Sequence, residues 1–203
     1  MNACCVVGAG DFKKFDLNKH KNDFIIAADG GYKHLMNSGI KPDLAVGDFD
    51  SLGFRPLDIE TVELPVQKDV TDMKAAVDIG IKKGYKEFYI YGGCGGRIDH
   101  TISNIQLAAS LVQEDIKVYI FDDISVITAI HNGSLHLDCD KKGYISILAH
   151  SDICRGVTVK GLKYTLCDAE LNNTFPLGVS NEFIGQESEI HVSDGTLIVI
   201  YSH

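Results

Sequence analysis

Apolar residues in the first 121 positions form short continuous runs, and some of the stretches between these runs carry apolar residues every three or four positions. Short apolar runs bounded by turn residues are typical of buried strands, and the longer periodic stretches are typical of helices. The pattern predicts strands at residues 3–7, 24–28, 44–47, 62–64, 88–91 and 118–121, and helices at residues 31–38, 72–83 and 100–113. Strands that alternate with helices predict a mostly parallel sheet covered by helices.

After residue 122 the pattern changes to short runs in which apolar and polar residues roughly alternate. Such alternation is typical of half-buried strands in an antiparallel sheet. It predicts strands at residues 125–130, 134–137, 144–148, 157–159, 164–166, 189–192 and 197–201. Asn-Gly and Asp-Gly pairs predict tight hairpin turns at residues 131–134 and 193–196. We therefore predict an α/β protein with an N-terminal, mostly parallel α/β/α sheet domain, residues 1–123, and a C-terminal all-β sandwich domain, residues 124–203.

Polar motifs follow the predicted strands of the first domain at three places, and a fourth motif precedes the helix that begins at residue 72. In a parallel sheet the carboxyl ends of the strands lie at one edge, so these motifs converge on one cleft despite their distance in sequence. The carboxylates expected at that cleft belong to Asp29, Asp48, Asp50, Asp69, Asp72 and Asp99.

Asp48 and Asp50 stand directly after the predicted strand at residues 44–47. Residues two positions apart share a face of extended chain, so both carboxylates point the same way if the strand geometry continues. Adjacent carboxylates repel each other unless a cation lies between them, and carboxylates with phosphate oxygens and water are the usual ligands of Mg2+. The alternative is an acidic turn, because Gly, Asp and Ser cluster in turns for backbone reasons.

Two cations and a glycine-rich segment accompany these carboxylates. Arg97 suits a bidentate grip on phosphate oxygens, and Lys68 acts as a point charge. Residues 92–96 contain four glycines, which indicates close approach of a bulky ligand or a nest of backbone N–H groups for phosphate. Asn104 reaches the same cleft or caps a backbone group, whereas a structural role is favoured over a catalytic one for His100.

Most of these residues also have a purely structural interpretation. Asp29 could cap the helix that follows it, and Asp72 could serve the helix start after Thr71, a good N-cap residue. Arg97 and Asp99 could form a local surface ion pair that contributes little to stability.

Composition and missing motifs narrow the classes of function. The chain of 203 residues has a formal charge of −9, which argues against general nucleic-acid binding but allows phosphate ligands where a metal and local cations reverse the field. No apolar run approaches the roughly 18 to 20 residues of a membrane helix. Residues 1–10 lack a basic leader and the six cysteines lack paired spacing, which predicts a cytoplasmic protein with free thiols. The sequence has no P-loop motif, and residues 8–10 lack the third glycine of a dinucleotide-binding fingerprint, so neither of these two nucleotide-binding motifs is present.

These residues together predict Mg2+-dependent phosphoryl or nucleotidyl chemistry, and in their order they closely resemble the bacterial thiamine pyrophosphokinase family. The resemblance covers nearly the whole chain, and the change from α/β to all-β sequence falls at the matching place. It rests on residues 28–31, 42–43 with 47–51, 68–72, 92–93 with 96–100, Asn104, 161–164 and 178–183.

The resemblance implies transfer of a pyrophosphoryl group from ATP to the hydroxyethyl oxygen of thiamine, which gives thiamine diphosphate and AMP. It implies the Mg2+ ligands Asp48, Asp50 and Asp72, with Arg97 and Asp99 as further catalytic residues. The residues implied for the ATP and phosphate region are Asp29, Gly30, Lys68, Asp69, Thr71, Arg97, Asp99 and Asn104. Those implied for thiamine in the second domain are Tyr164, Ser180 and Asn181. It also implies a homodimer with active sites at the subunit interface.

The sequence leaves alternatives at three points. Asp99 and Asp72 are both candidates for the base that takes the alcohol proton. Tyr164 stacks on thiamine or is a half-buried strand aromatic; some family members, chiefly eukaryotic, carry Trp there, and this chain has no Trp. The alternative functions are a Mg2+-dependent nucleotide or sugar-phosphate hydrolase and a non-catalytic thiamine- or nucleotide-binding module.

Overall fold

The computed structural model describes residues 3–10, 12, 20, 22–50, 52–65 and 69–202. By its internal contacts the chain divides into two compact units. The first unit comprises Met1–Leu107 and Ile116–Asp123, and the second comprises Ala108–Asp115 and Ile124–His203. In the described ranges no helix is both long enough and apolar enough to cross a membrane.

The first unit is built on parallel strands in the spatial order β6-β5-β1-β2-β3-β4. These strands are β1 Cys4–Val7, β2 Phe24–Ala28, β3 Leu44–Gly47, β4 Glu60–Glu63, β5 Glu87–Tyr91 and β6 Lys117–Phe121. The helices between them are α1 Gly31–Asn37, α2 Asp72–Lys82 and α3 Ile98–Val112, of which α3 belongs to this unit as far as Leu107. The strands and helices predicted from the apolar pattern are therefore confirmed, with ends that differ by at most two residues.

Burial explains why this half of the chain was predictable. β1 and β3 are buried along their whole length, and β2 is buried except at Phe24. A strand that is covered on both faces has to be apolar at every position, so it stands out in the sequence as a continuous run. On one face, residues of β1 and β2 pack with Tyr32 and Leu35 of α1 in a buried cluster.

The start of α2 follows the predicted capping pattern. Thr71 has an extended backbone, and its Oγ1 accepts a hydrogen bond from the Lys74 backbone N–H at 3.2 Å. Asp72 stands in the first turn, where a carboxylate interacts favourably with the positive end of the helix dipole. After the helix, Gly84 takes φ 93°, a left-handed conformation that glycine adopts without steric strain.

The second unit is built on antiparallel strand pairs, as the alternating pattern predicts. Its strands are β7 Ser125–Leu137, β8 Tyr144–Ala149, β9 Ile153–Lys160, β10 Leu166–Asn172, β11 Gly178–Glu182 and β12 Ser188–Ser202. β12 pairs with β7 along one edge, and along its other edge it pairs first with β9 and then with β8. β10 extends the sheet from β9, and β11 extends it from β8.

The two hairpin turns predicted at residues 131–134 and 193–196 are wrong. β7 and β12 run straight through these positions as one long antiparallel pair with a register shift between Val192 and Thr196. Asn132 has φ 46° and Gly195 has φ 115°, and the Gly195 N–H donates to Asn132 Oδ1 at 2.8 Å. The residues that favour a tight turn also favour a β-bulge, and the long-range pairing of the two strands decides between them.

Two further features of the second unit differ from the sequence prediction. β11 was not predicted, because Gly178–Glu182 contains one large apolar residue, Val179, and so lacks an alternating pattern. Tyr164, placed by the pattern in a strand, lies in a bend before β10.

Candidate active site

The first unit contains a cavity of about 750 Å3 at the point where its strand order reverses. β1 lies between β2 and β5, so the chain leaves it in one direction toward β2 and returns on its other side as β5. Open parallel sheets bind ligands in the crevice outside the carboxyl ends of the strands at such a switch point. The cavity is lined by Gly8, Ala9, Gly10, Ala28, Asp29, Asp69, Val70, Thr71, Asp72, Met73, Gly92, Gly93, Cys94, Gly95, Gly96, Arg97, His100 and Asn104.

The loops that follow β1 and β5 meet backbone to backbone in the cavity wall. The Gly10 N–H donates to the Gly92 carbonyl at 3.0 Å, and the Gly8 N–H donates to the Tyr91 carbonyl at 2.8 Å. A Cβ atom on Gly10 would lie 2.3 Å from the Cys94 carbonyl oxygen, and one on Gly8 would lie 2.7 Å from the Gly92 carbonyl oxygen. Only glycine fits at either position, because any side chain would overlap the other loop.

Sequence reasoning missed the role of residues 8–10. The segment was set aside because it lacks the third glycine of a dinucleotide fingerprint. In the folded chain, Gly92 from β5 packs against Gly8 and Gly10, so the glycines of the two loops form one contact. The available signal was the glycines that follow both β1 and β5 in the sequence.

Asp29, Asp69 and Asp72 all line the cavity, although 43 positions separate the first from the last. Asp29 follows β2 with φ 47°, and its N–H donates to the Val46 carbonyl of β3 at 2.8 Å. Asp72 begins α2 directly after the N-cap residue Thr71. The folding of parallel strands therefore brings these three acidic residues to one cavity, which Arg97 also lines.

Asp48 and Asp50 lie outside the cavity lining. β3 ends at Gly47, Phe49 is buried with φ 58°, and the Asp50 N–H donates to Asp48 Oδ1 at 3.2 Å. The extended geometry that would point both carboxylates the same way therefore ends before the pair, and the chain turns at Phe49. Within the described part of the chain, no group of three or more His, Cys, Asp or Glu side chains is arranged to hold a metal ion.

Arg97 and Asp99 form the local ion pair that the sequence allowed. The Arg97 Nε donates to Asp99 Oδ1 at 3.1 Å, its Nη2 donates to Asp99 Oδ2, and both side chains are exposed. The hydrogen bond from Arg97 holds the pKa of the Asp99 carboxyl below its ordinary value.

The remaining residues expected at the nucleotide end fall into different environments. Gly30 is the N-cap of α1 with φ −57° and is not part of the cavity lining. Asn104 is buried in the cavity wall, and its Nδ2 donates to the Gly93 carbonyl at 2.6 Å. His100 lines the cavity and is exposed. The sequence had favoured a structural role for this residue. Lys68 lies outside the described residues.

The thiamine residues expected in the second unit are organised around the Tyr164 backbone. Asn181 is buried; its Oδ1 accepts from the Tyr164 N–H at 2.9 Å, and its Nδ2 donates to the Tyr164 carbonyl at 2.7 Å. The Tyr164 side chain is 60% exposed, and the Lys163 Nζ lies 5.5 Å from its ring centroid. Ser180 is exposed with φ 63°, and its N–H donates to Ser146 Oγ at 3.2 Å.

The cysteines of the chain differ sharply in expected reactivity. Burial raises the pKa of the Cys94 thiol in the cavity wall to about 11, and the Asp122 carboxylate adds to this effect. Burial likewise raises the pKa of Cys4 to about 12. Cys139 and Cys167 are exposed. We expect iodoacetamide near neutral pH to modify the two exposed thiols and to spare the buried ones, because the thiolate is the reactive form.

Peptide mass spectrometry of the native and the urea-denatured protein measures this difference. Modification of Cys139 and Cys167 in the native state, with all six cysteines modified after denaturation, is the expected result. Rapid modification of native Cys94 would contradict the burial of this thiol.

Two family models match the chain. One, described as "Thiamin pyrophosphokinase, catalytic domain", matches residues 15–120, and the other, described as "Thiamin pyrophosphokinase, vitamin B1 binding domain", matches residues 134–197. The chain belongs to the thiamin pyrophosphokinase family. The family predicted from the sequence motifs is thereby confirmed.

Relatives with this family name are similar over most of their length. The thiamine pyrophosphokinase of Bacillus subtilis strain 168 is 33% identical over 184 residues, which cover 87% of this chain and 86% of the relative. Thiamin pyrophosphokinase 1 of Caenorhabditis elegans is 26% identical over 181 residues, which cover 80% of this chain and 72% of the relative. A crystal structure of thiamine pyrophosphokinase from Bacillus subtilis matches with a TM-score of 0.88 at 28% identity and covers 99% of both chains.

Proposed function

We propose that this protein transfers the pyrophosphoryl group of ATP to thiamine, giving thiamine diphosphate and AMP. Membership of the thiamin pyrophosphokinase family supports this reaction, because models of both the catalytic and the vitamin B1 binding domain match the chain. The observation that carries the proposal is the cavity at the switch point of the first unit. Most of its lining, from Ala28 to Asn104, lies within the catalytic-domain match.

ATP is the ligand proposed for this cavity. A volume of about 750 Å3 suits a small-molecule site. The glycine loops bring backbone close to a bound polyphosphate, and Arg97 supplies a planar guanidinium that pairs well with phosphate oxygens. The residues proposed to contact the nucleotide or to support it are Asp29, Gly30, Lys68, Asp69, Thr71, Arg97 and Asn104.

Mg2+ is the metal proposed for the reaction, with Asp48, Asp50 and Asp72 as ligands. The chemistry of this set fits, because all three supply carboxylate oxygens, and Mg2+ is commonly bound through carboxylates together with substrate phosphates. Asp72 lines the cavity, whereas Asp48 and Asp50 follow β3 and lie outside the cavity lining, so metal binding has to bring their carboxylates together with that of Asp72. When bound, the ion would offset negative charge on the triphosphate.

The chain's own contribution to catalysis is charge compensation and alignment. The pair between Arg97 and Asp99 is exposed, so it is weak and the guanidinium is available for exchange. Phosphate oxygens can replace the carboxylate, since a triphosphate offers more negative charge to the same donors. The cavity wall then has to hold the β-phosphorus in line with the thiamine hydroxyl and the departing AMP oxygen.

Tyr164 and Ser180 are proposed to contact thiamine, and Asn181 is proposed to act through Tyr164. Both polar ends of the Asn181 amide are engaged by the Tyr164 backbone, so this side chain fixes the bend that presents the ring. The exposed Tyr164 ring offers an aromatic face to a cation such as thiamine once the Lys163 ammonium, which also pairs with Glu182, moves aside.

Replacing Tyr164 by alanine is expected to raise KM for thiamine by about fivefold to thirtyfold, with KM for ATP unchanged, because a cation–π contact and its apolar area are lost. Steady-state kinetics with each substrate varied in turn measures the two constants. The matched control is Tyr144→Ala, which removes another exposed tyrosine of the same unit. Equal effects of the two variants would contradict a thiamine contact by Tyr164.

We further propose that the protein is a cytoplasmic homodimer with active sites at the subunit interface. We also propose that it divides into an α/β/α domain, residues 1–123, and an all-β sandwich, residues 124–203. The chain's match to two family models, one in each half, supports the division. Sedimentation of the purified protein over a range of concentrations tests the dimer.

The deciding experiment mixes the purified protein with ATP, Mg2+ and thiamine and separates nucleotides and thiamine phosphates by chromatography. Equal amounts of AMP and thiamine diphosphate are expected. ADP with thiamine monophosphate would mean transfer of a single phosphoryl group, and phosphate release without thiamine would identify a hydrolase. Thiamine binding without turnover would leave a binding module.

A further inference from the structure

The segment Gly92–Gly96 needs an external support to hold one conformation. Four of its five residues are glycine, and Gly92, Gly95 and Gly96 have φ of 61°, 80° and 62°. Glycine loses more backbone entropy on ordering than any other residue, and the segment has one side chain, that of Cys94, with which to pack. A loop of this composition keeps a defined shape only if neighbouring elements bind its backbone.

One end of the segment is supported by the loop after β1. The Gly92 carbonyl accepts from the Gly10 N–H at 3.0 Å, and a Cβ on Gly92 would lie 2.5 Å from the Gly8 carbonyl oxygen. This contact fixes the first residue of the segment against the opposite wall of the cavity.

The next support along the segment comes from α3. Asn104 Nδ2 donates to the Gly93 carbonyl at 2.6 Å, and the Asn104 side chain is 6% exposed. A Cβ on Gly93 would lie 2.9 Å from Ile90 Cγ2 and 3.4 Å from Asn104 Nδ2, so the peptide is held between the sheet and the helix. A short, buried hydrogen bond of this kind restrains a backbone far more than an exposed one does.

Asparagine at position 104 is unusual, and a hydrogen bond to the loop explains why it is there. Asn104 lies inside α3, where asparagine is a poorer helix former than leucine or alanine, and its neighbours Leu107 and Ala108 on the buried side are apolar. A buried polar side chain in a helix interior is retained when it satisfies a group outside its own helix. The Gly93 carbonyl is that group.

We propose that Asn104 is a positioning residue for the pyrophosphoryl transfer: through the Gly93 carbonyl it holds the Gly92–Gly96 segment in the shape that receives the polyphosphate of the nucleotide. It does so without contacting the substrate through its amide nitrogen, which is engaged by Gly93. The inference rests on the proposed binding of ATP in this cavity.

Asn104→Leu tests the inference, since leucine has the same branched shape and number of side-chain heavy atoms and removes the donor. Hydrogen–deuterium exchange of the ligand-free protein is expected to become about tenfold faster at the amides of residues 93–97, with α2 and the second unit unchanged. KM for ATP is expected to rise about tenfold, while KM for thiamine changes by less than twofold. The control is Gln106→Leu, the same amide-to-leucine change at an exposed position of α3.

The exchange measurement separates this inference from the proposed function. Unchanged exchange at residues 93–97 in folded Asn104→Leu would overturn it, even with a raised KM for ATP, because a residue that only touches ATP does not alter the ligand-free loop. If exchange is faster in the variant but the native protein does not bind ATP, then Asn104 does hold the loop. In that case the inference about Asn104 stands and ATP is wrong as the ligand.

A second variant covers the case in which Asn104→Leu fails to fold. Asn104→Ala removes the donor without placing a larger or charged group beside the Gly93 carbonyl, and its melting transition reports whether the fold is intact. Faster exchange at residues 93–97 is expected here too, and unchanged exchange in this variant would overturn the inference.

Discussion

Replacing Asp72 by asparagine is expected to lower turnover by about a hundredfold to a thousandfold while leaving the fold intact. Asp72 lines the cavity at the first turn of α2, and asparagine keeps its shape while removing the charge proposed to bind Mg2+. The loss of a favourable helix-dipole interaction is small, about 0.3–1 kcal/mol. Steady-state assays over a range of Mg2+ concentrations, with thermal melting of the same sample, measure both effects.

The matched control is Asp78→Asn on the same helix. Asp78 is outside the cavity lining and pairs with Lys74 on the helix surface, so its neutralisation should leave turnover near the native value. If Asp72→Asn kept more than about a tenth of native turnover with an unchanged Mg2+ dependence, Asp72 would lose its proposed place as a metal ligand.

Replacing Gly31 by alanine is expected to destabilise the protein by about 3 kcal/mol or more. Gly31 is the buried first residue of α1, and a Cβ there would lie 1.8 Å from the Val7 carbonyl oxygen at the end of β1. Neither group is the end of a flexible side chain, so the helix has to move away from the sheet. The melting temperature is expected to fall by about 6 to 12 °C for a chain of this size.

Gly39→Ala supplies the comparison just beyond the other end of α1. Gly39 has φ 71° and open space around its Cα, so alanine there meets backbone strain of about 1–2 kcal/mol without a clash. A larger loss of stability in the Gly39 variant than in the Gly31 variant would contradict the close packing of α1 on β1.

The Gly31 variant alters one residue of a sequence motif whose members have different roles in the structure. Asp29, Gly30 and Gly31 form one motif by sequence, and the resemblance implies a ligand role for the first two. In the structure Asp29 lines the cavity, Gly30 caps α1 from outside the lining, and Gly31 allows the helix to approach β1. One motif thus serves both the chemistry and the packing that presents it.

The amino-acid sequence by itself determined the class of each strand and helix in the first unit, and it identified the family. Buried parallel strands must be apolar at every position, so β1, β2 and β3 stand out without further information, and Thr71 marks the start of α2 through a local hydrogen bond. The ordered polar motifs identified the thiamin pyrophosphokinase family, which the family models confirm. Each apolar run, each helix cap and each single motif is formed by residues that lie within a few positions of one another.

Only the tertiary structure decided which residues meet. The bulges at Asn132 and Gly195 exist because β7 pairs with β12 across the chain, and the same dipeptides in isolation favour hairpins. The cavity wall depends on Gly10 approaching Gly92, and the conformation at Phe49 turns Asp50 out of the extended geometry that the spacing suggests. Backbone contacts between distant strands and left-handed conformations carry no periodic pattern, so spacing alone cannot reveal them.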